Sequence, residues 1–238
     1  MTKIYLFGKS GKMGKALQTI AHQSGIEIVG GCNTTSADNC NDLQIDAIID
    51  FSSADVLPQV LKLSALKNKP VLIASTGHST AQLQQIKAHS QKLAVLQSAN
   101  LSIGANSLLH LIKSATQILQ NFDIEIVETH HNKKHDVPSG TSKAMLAAVA
   151  QSRVDVEPVQ GRRQDDAIRH CRQVGMHSIR GGSHTGEHKI MYLGQSETLT
   201  ITHTSQSREI FAQGAVLAVK WLVTQPPSLY NMQDVLNI

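Results

Sequence analysis

Aromatic side chains are scarce in this chain: one Trp, three Tyr and four Phe make up 3% of its 238 residues. Nucleic-acid readers stack bases on aromatics or track phosphates with dense Lys/Arg blocks, and neither is present, so no nucleic-acid partner is expected. Cysteines number three, at Cys32, Cys40 and Cys171, with no CxxC pair. So sparse and odd a set excludes a disulfide framework and suits free thiols in the cytoplasm. Cys32 lies in an apolar run, where a buried structural thiol is expected. No apolar run reaches membrane-spanning length, and the four apolar residues before the first glycine are too few for a secretory signal. No membrane partner is expected either. Charged residues amount to 17%, with a formal net charge of +4 and twelve histidines, which suits anionic small molecules.

What is present is a repeating pattern over the first hundred residues. Apolar runs at Ile4–Phe7, Ile26–Val29, Ala47–Phe51, Val71–Ala74 and Leu93–Leu96 alternate with helically spaced segments at Met13–Ala21, Asp55–Leu66 and Thr80–His89. Strands alternating with helices imply α/β architecture, a Rossmann-like parallel sheet covered on both faces. The gap from Asn33 to Gln44 is polar and poorly defined. After Asn100 the pattern changes to a helix at Asn106–Leu119, a strand "DIEIVETHH", a helix from about Ser139 and a polar, irregular 153–175, read as a mobile loop. A hairpin ("EHKIMYLG" and "TLTITHT") and a last helix at Glu209–Val223 follow. The expected organisation is a dinucleotide-binding domain of 1–101 with 208–238, and an α+β domain of 102–207.

Residues 8–14, "GKSGKMG", place G-x-x-G-x-x-G between the first strand and the first helix. Glycines there allow a tight turn and bring backbone N–H groups close to a pyrophosphate at the helix start. An ATP P-loop is excluded, because Lys3 stands where its first glycine belongs and Ala16 follows Gly14-Lys15. A glycine turn that binds nothing is the bland alternative; its position after strand one of a β/α repeat favours dinucleotide binding.

The densest chemistry lies in "ETHHNKKHDVPSGTSKA", residues 128–144. His130, His131, His135 and Asp136 are ligand types, but adjacent strand histidines point opposite ways and two lysines repel a divalent cation; no metal is expected. A solvated charge run is the ordinary reading of "NKKHD" alone. Ser139 or Thr141 can cap the helix that follows, and its exposed N–H groups make an anion site. Cations beside an anion site suit a carboxylate substrate, with Lys134 or His130 placed to give a proton.

This run resembles the signature of the dihydrodipicolinate reductases. "DFS" at 50–52, "STG" at 75–77, "SANLS" at 98–102, "IRGG" at 179–182, "GEH" at 186–188 and "FAQGA" at 211–215 agree with it, so that the resemblance covers nearly the whole chain. It implies reduction of 4-hydroxy-tetrahydrodipicolinate, a small dicarboxylate, with NADPH and/or NADH in lysine and diaminopimelate biosynthesis. It further implies a homotetramer assembled through the second domain. His130 matches the family's catalytic histidine and Lys134 its proton-donating lysine. His131, Gly140 and Thr141, with Ser139 beside them, match substrate contacts. Gly8, Lys9, Ser10, Gly11, Lys12 and Met13 match the cofactor loop. Ala74, Ser75 and Thr76, and Ser98, Ala99, Asn100 and Leu101, match segments that meet the cofactor near its nicotinamide.

Two departures stand out. His135 replaces a small or apolar neighbour, with no evident role. At the end of strand two, where a ribose-binding carboxylate is usual, stand Asn33 and Thr34, which leaves cofactor choice open. Two other readings are another Rossmann oxidoreductase of an amino or oxo acid, and a non-catalytic dinucleotide sensor. Intact His130, Lys134 and PSGT count against the sensor.

Overall fold

The computed structural model of the chain describes residues 1–33, 36–37, 40, 42–162 and 168–238. It contains two compact units, Met1–Ile103 with Arg208–Ile238, and Gly104–Ser207.

The first unit is built on strands β1 (Thr2–Phe7), β2 (Ile26–Asn33), β3 (Ser36–Ala37), β4 (Ala47–Asp50), β5 (Val71–Ile73) and β6 (Val95–Gln97), with β12 (Leu229–Tyr230) returning late in the chain. Their order is β12-β6-β5-β4-β1-β2-β3, parallel except for β3, which runs against β2. A parallel sheet needs cover on both faces, and β1 shows it in its own residues. Ile4 and Leu6 enter a core with Leu17, Val219 and Leu222, from helices α1 (Lys12–Ala21) and α6 (Glu209–Leu222). Tyr5 and Phe7, on the other face, pack with Leu57, Val60 and Leu63 of α2 (Leu57–Lys67) and with Ile86 of α3 (Thr80–Ser90). Helix α6 lies so close that a Cβ on Gly214 would stand 1.8 Å from the Leu101 carbonyl oxygen. Short α7 (Met232–Leu236) follows β12.

The second unit has a mixed sheet in the order β11-β10-β7-β9-β8. Its strands are β7 (Asp123–His130), β8 (Glu157–Gln160), β9 (Gln173–Arg180), β10 (Gly186–Leu193) and β11 (Thr198–Ser205). Burial alternates strictly along β7 and β10, so a single face is covered. Ile124, Ile126, Ile190 and Tyr192 on that face pack against Leu108 and Ile112 of α4 (Ile103–Ile118), and against Met145 and Val149 of α5 (Gly140–Ala150). The Tyr192 hydroxyl meets Thr116 Oγ1 at 2.8 Å, which satisfies it inside that core.

Two expectations need correction. The stretch 153–175 is not wholly irregular, for β8 and the start of β9 lie in it, paired in parallel; 163–167 fall outside the described residues. Strand β9 pairs along β7 over Ile124–His130, yet its sequence reads poorly. Gly175 in its middle accommodates the Glu125 carboxylate, whose Oε2 lies 1.6 Å from where a Cβ would stand. His177 and Arg169 bond the same carboxylate. Cys32 is half-buried rather than buried, its thiol 2.9 Å from the Asn33 carbonyl oxygen.

Candidate active site

In the first unit the expected cofactor residues converge because parallel strands end along one edge. Phe7 is registered with Asp50, Asp50 with Ile73, and Ile73 with Gln97. The segments that follow these strands, 8–13, 74–76 and 98–101, therefore emerge together at the edge where open α/β sheets bind ligands. Gly8 has φ +78°, and a Cβ there would lie 2.5 Å from the Phe51 carbonyl oxygen, so only glycine fits. A Cβ on Gly14 would meet the Gly8 carbonyl oxygen at 2.3 Å. Helix α1 starts from Gly11 with no side-chain cap and no acidic residue in its first turn. Helices α3 and α5, by contrast, are capped by Ser79 and Ser139. A helix start left without its own cap beside a tight glycine turn fits a pyrophosphate.

Neighbouring side chains serve this loop. Asn33 Oδ1 accepts the Ser10 N–H at 2.9 Å, so the residue at the usual carboxylate position props the glycine turn. Lys9 folds its stem over Gly31, and Met13 packs on the core. Fully buried Asp50 accepts the Ser52 N–H at 2.9 Å and the hydroxyls of Ser52 and Ser75, tying the ends of β4 and β5. Ser98 Oγ donates to the Asn100 carbonyl at 2.8 Å, while Leu101 is buried under Gly214. Ala99 is exposed. Thr34 lies outside the described residues.

In the second unit the histidine–lysine run leaves β7 and returns into α5. Alternation puts Glu128 and His130 on the same covered face as Ile124 and Ile126. Glu128 is 1% exposed and accepts four hydrogen bonds. Oε2 takes the Ser139 N–H (3.0 Å) and the Ser142 hydroxyl (2.6 Å). Oε1 takes the Ser178 hydroxyl (2.8 Å) and the Arg180 guanidinium (2.7 Å). Burial alone pushes this carboxyl upward, but the bonds from Ser139, Ser142, Arg180 and Ser178 outweigh it and hold it far below the ordinary range. Arg180 also donates to the Asp136 carbonyl at 2.8 Å, and the Asp136 carboxylate grips Lys134 Nζ at 2.8 Å. That hydrogen bond from Lys134 lowers the Asp136 pKa.

His130 is buried, with Nδ1 3.9 Å from Glu128 Oε2 and no hydrogen bond to it among the described residues. Its ring meets His188 of β10 edge to face, centroids 5.0 Å apart. Desolvation lowers the His130 pKa despite the pull of Glu128. Desolvation, with His130 adding to it, lowers His188 to about 4. Both rings are neutral near pH 7. Ser139 turns inward: its N–H goes to Glu128, and its hydroxyl caps α5 and meets His188 Nε2 at 3.1 Å. It holds the helix start and presents no donor outward. His131 is half-exposed, its Nδ1 accepting the Lys133 N–H, and His135 is exposed. Gly140 has no atom within 4 Å of where a Cβ would stand, so space above the helix start is open.

Glu128, His130 and His188 each bring one ligand-type atom within 4.8 Å of the others, a different set from the His130, His131, His135 and Asp136 weighed above. Both Glu128 oxygens are already held by donors, one of them a guanidinium. That environment suits a fixed carboxylate better than a divalent cation. Glu128, Arg180 and His188 are residues of this cluster that the sequence left without a role. The readable signal was a carboxylate in phase with Ile124 and Ile126 on a half-buried strand.

Comparison with known proteins gives the family of the chain. Residues 2–101 match the family model described as dihydrodipicolinate reductase, N-terminus, and residues 104–236 match the one described as dihydrodipicolinate reductase, C-terminus. The chain belongs to the dihydrodipicolinate reductase family. A 4-hydroxy-tetrahydrodipicolinate reductase of Caldanaerobacter subterraneus subsp. tengcongensis is 39% identical, covering 100% of this chain and 99% of its own. One of Zymomonas mobilis is 37% identical, over 99% of this chain and 97% of its own. The fold of a dipicolinate-bound dihydrodipicolinate reductase from Paenisporosarcina sp. TG-14 superposes with a TM-score of 0.80 at 21% identity, over 98% of both chains. Such reductases carry a Rossmann domain that binds a nicotinamide dinucleotide, which the glycine turn and uncapped α1 fit.

The open space above Gly140 makes a structural prediction. Gly140→Ala folds normally and is more stable by up to about 1 kcal/mol, since alanine is the better helix former. A lower Tm in a thermal melt would show that the space is not open.

Proposed function

We propose that the reaction of this family, reduction of 4-hydroxy-tetrahydrodipicolinate with NAD(P)H in lysine and diaminopimelate biosynthesis, is carried out here by Lys134 as proton donor beside a neutral His130. The observation that carries this reading is the pair Lys134–Asp136, beside the start of α5 at Gly140 and Thr141. The first unit holds the dinucleotide, and the second holds the substrate. When bound, the cofactor supplies the hydride.

The chain's own residues do the rest. N–H groups at Gly140 and Thr141, with the positive end of α5, hold a substrate carboxylate, and His131 adds a contact to the dianion. Asp136 holds the Lys134 ammonium in place through their ion pair. Loss of the 4-hydroxyl as water would leave a conjugated imine, and a hydride delivered to it would make an electron-rich enamine, to whose carbon Lys134 Nζ gives a proton and recovers one from water. His130, uncharged, orients the ring by hydrogen bonding rather than acting as a cationic acid. No metal takes part. Three free thiols suit the reducing cytoplasm. Assembly into a homotetramer uses the sheet face turned away from α4 and α5, where Val127, Met191 and Leu193 stay partly exposed.

Cofactor choice rests on Asn33. Its neutral amide, whose Oδ1 accepts the Ser10 N–H, adds no negative charge against a 2′-phosphate, and Lys9 and Lys12 add positive charge to the glycine loop. NADPH is therefore used at least as well as NADH.

Lys134→Ala lowers kcat by roughly two orders of magnitude or more, the usual contribution of a positioned proton donor. NADPH affinity stays as in wild type. A near-normal kcat removes Lys134 from the mechanism. Asn33→Asp keeps the acceptor for Ser10 and adds only charge, so it selectively weakens NADPH in a kcat/KM comparison of the two cofactors. Equal effects on NADH and NADPH would place Asn33 away from the ribose.

A further inference from the structure

Glu128 is a buried charge that the proposed chemistry does not use. An apolar side chain of similar volume would cost the fold less, because desolvating a carboxylate is expensive and a partnered charge only recovers the cost. Its partners show what it does instead. All four are donors, and two of them, the Ser139 N–H and the Arg180 guanidinium, cannot turn round and accept. One sits on each oxygen. Glutamine in either amide orientation, or a protonated acid, would set a donor against one of them. The site demands an ionised carboxylate and not merely its shape.

Each oxygen governs a different part of the site. Through Oε1, Arg180 is fixed and reaches on to the Asp136 carbonyl at 2.8 Å, anchoring the turn whose Asp136 side chain holds Lys134. Through Oε2, Ser139 and Ser142 are fixed, and with them the first turn of α5 that carries Gly140 and Thr141. We propose that Glu128 is the positioning residue of the reaction: its ionised carboxylate locks the proton-donor turn and the carboxylate-binding helix start into one frame. Arg180, neutralised by Glu128, is a strut in that frame and not a substrate-binding cation. This rests on the reading of Lys134 and the α5 start as the substrate site.

The test compares Glu128→Gln, Glu128→Asp, Arg180→Met and the Gln/Met double variant. The readouts are kcat, the substrate KM, the Ki of pyridine-2,6-dicarboxylate and the Kd of NADPH. Glu128→Gln should lower kcat and raise both KM and Ki by about tenfold or more each, as displacement by a fraction of an ångström to 1 Å does. NADPH Kd should hold. Glu128→Asp, which keeps the charge, should recover part of the loss. The double variant should be no worse than the poorer single, because both singles cut one link. Unchanged KM and Ki in a folded Glu128→Gln protein would overturn the proposal. So would losses that are additive with Arg180→Met or unrelieved by aspartate, which mark a merely structural role. If Glu128→Gln does not fold, Arg180→Met and Ser142→Ala separate the arms: the first should act mainly on kcat and the second mainly on Ki, and the same pattern from both overturns it. A normal Glu128→Gln beside an inactive Lys134→Ala sinks this inference alone. An active Lys134→Ala sinks the functional reading beneath it.

Discussion

A carboxylate with almost no exposure stays charged only if its oxygens find donors, and Glu128 finds four. That requirement shapes the second unit around it. Ser139 and Ser142 are drawn inward to serve as donors, which sets where α5 begins. Arg180 at the end of β9 and Ser178 before it close the other side, which ties a parallel strand with a weak sequence signal to β7. The turn from His131 to Asp136 then has a fixed post to hang on, and Lys134 has a fixed partner. Remove the charge and each of these elements keeps its local reasons to form but loses its alignment with the others.

The first unit follows a related plan with different residues. Asp50, wholly buried at the end of β4, gathers Ser52 and Ser75, so a carboxylate again sits beneath a ligand-facing edge and holds neighbouring loops together. The glycine turn is held from another side by Asn33. In both units the groups expected to meet ligands are short loops or helix starts, and buried polar residues behind them supply the rigidity. Backbone N–H groups make good anion contacts, but only when something stops the loop from moving.

Much of this was legible in the residues. The alternation of Ile4 and Leu6 against Tyr5 and Phe7 is what a strand covered on both faces needs, and the glycines at 8 and 14 declare a turn too tight for a Cβ. Ser139 ahead of an apolar run announces a helix cap. The rest was hidden for physical reasons. Strand β9 reads as broken because Gly175 is small for the sake of the Glu125 carboxylate, and His177 is polar for the sake of the same group. Strand β8 is a polar edge whose register comes from its neighbour. Glu128, Arg180 and His188 come from three different strands, and no spacing along one of them reveals a hydrogen-bonded cluster that pairing assembles. Ser139 was expected beside the substrate contacts through the resemblance alone, and no spacing announced that the buried carboxylate takes its N–H.

Everything in the second unit's site depends on Glu128 being ionised throughout the working range, held so by its donors. Because the folded carboxyl lies below its ordinary value of 4.5, the stability it lends is present above that value and fades only as pH falls toward the folded one. Carboxyl-selective 13C NMR, with the resonance assigned by comparison with Glu128→Gln, reads this directly. From pH 7 down to the onset of acid unfolding, the Glu128 resonance should stay at its carboxylate position while surface glutamates titrate. A Glu128 resonance that titrates at or above 4.5 in the folded protein would contradict the account.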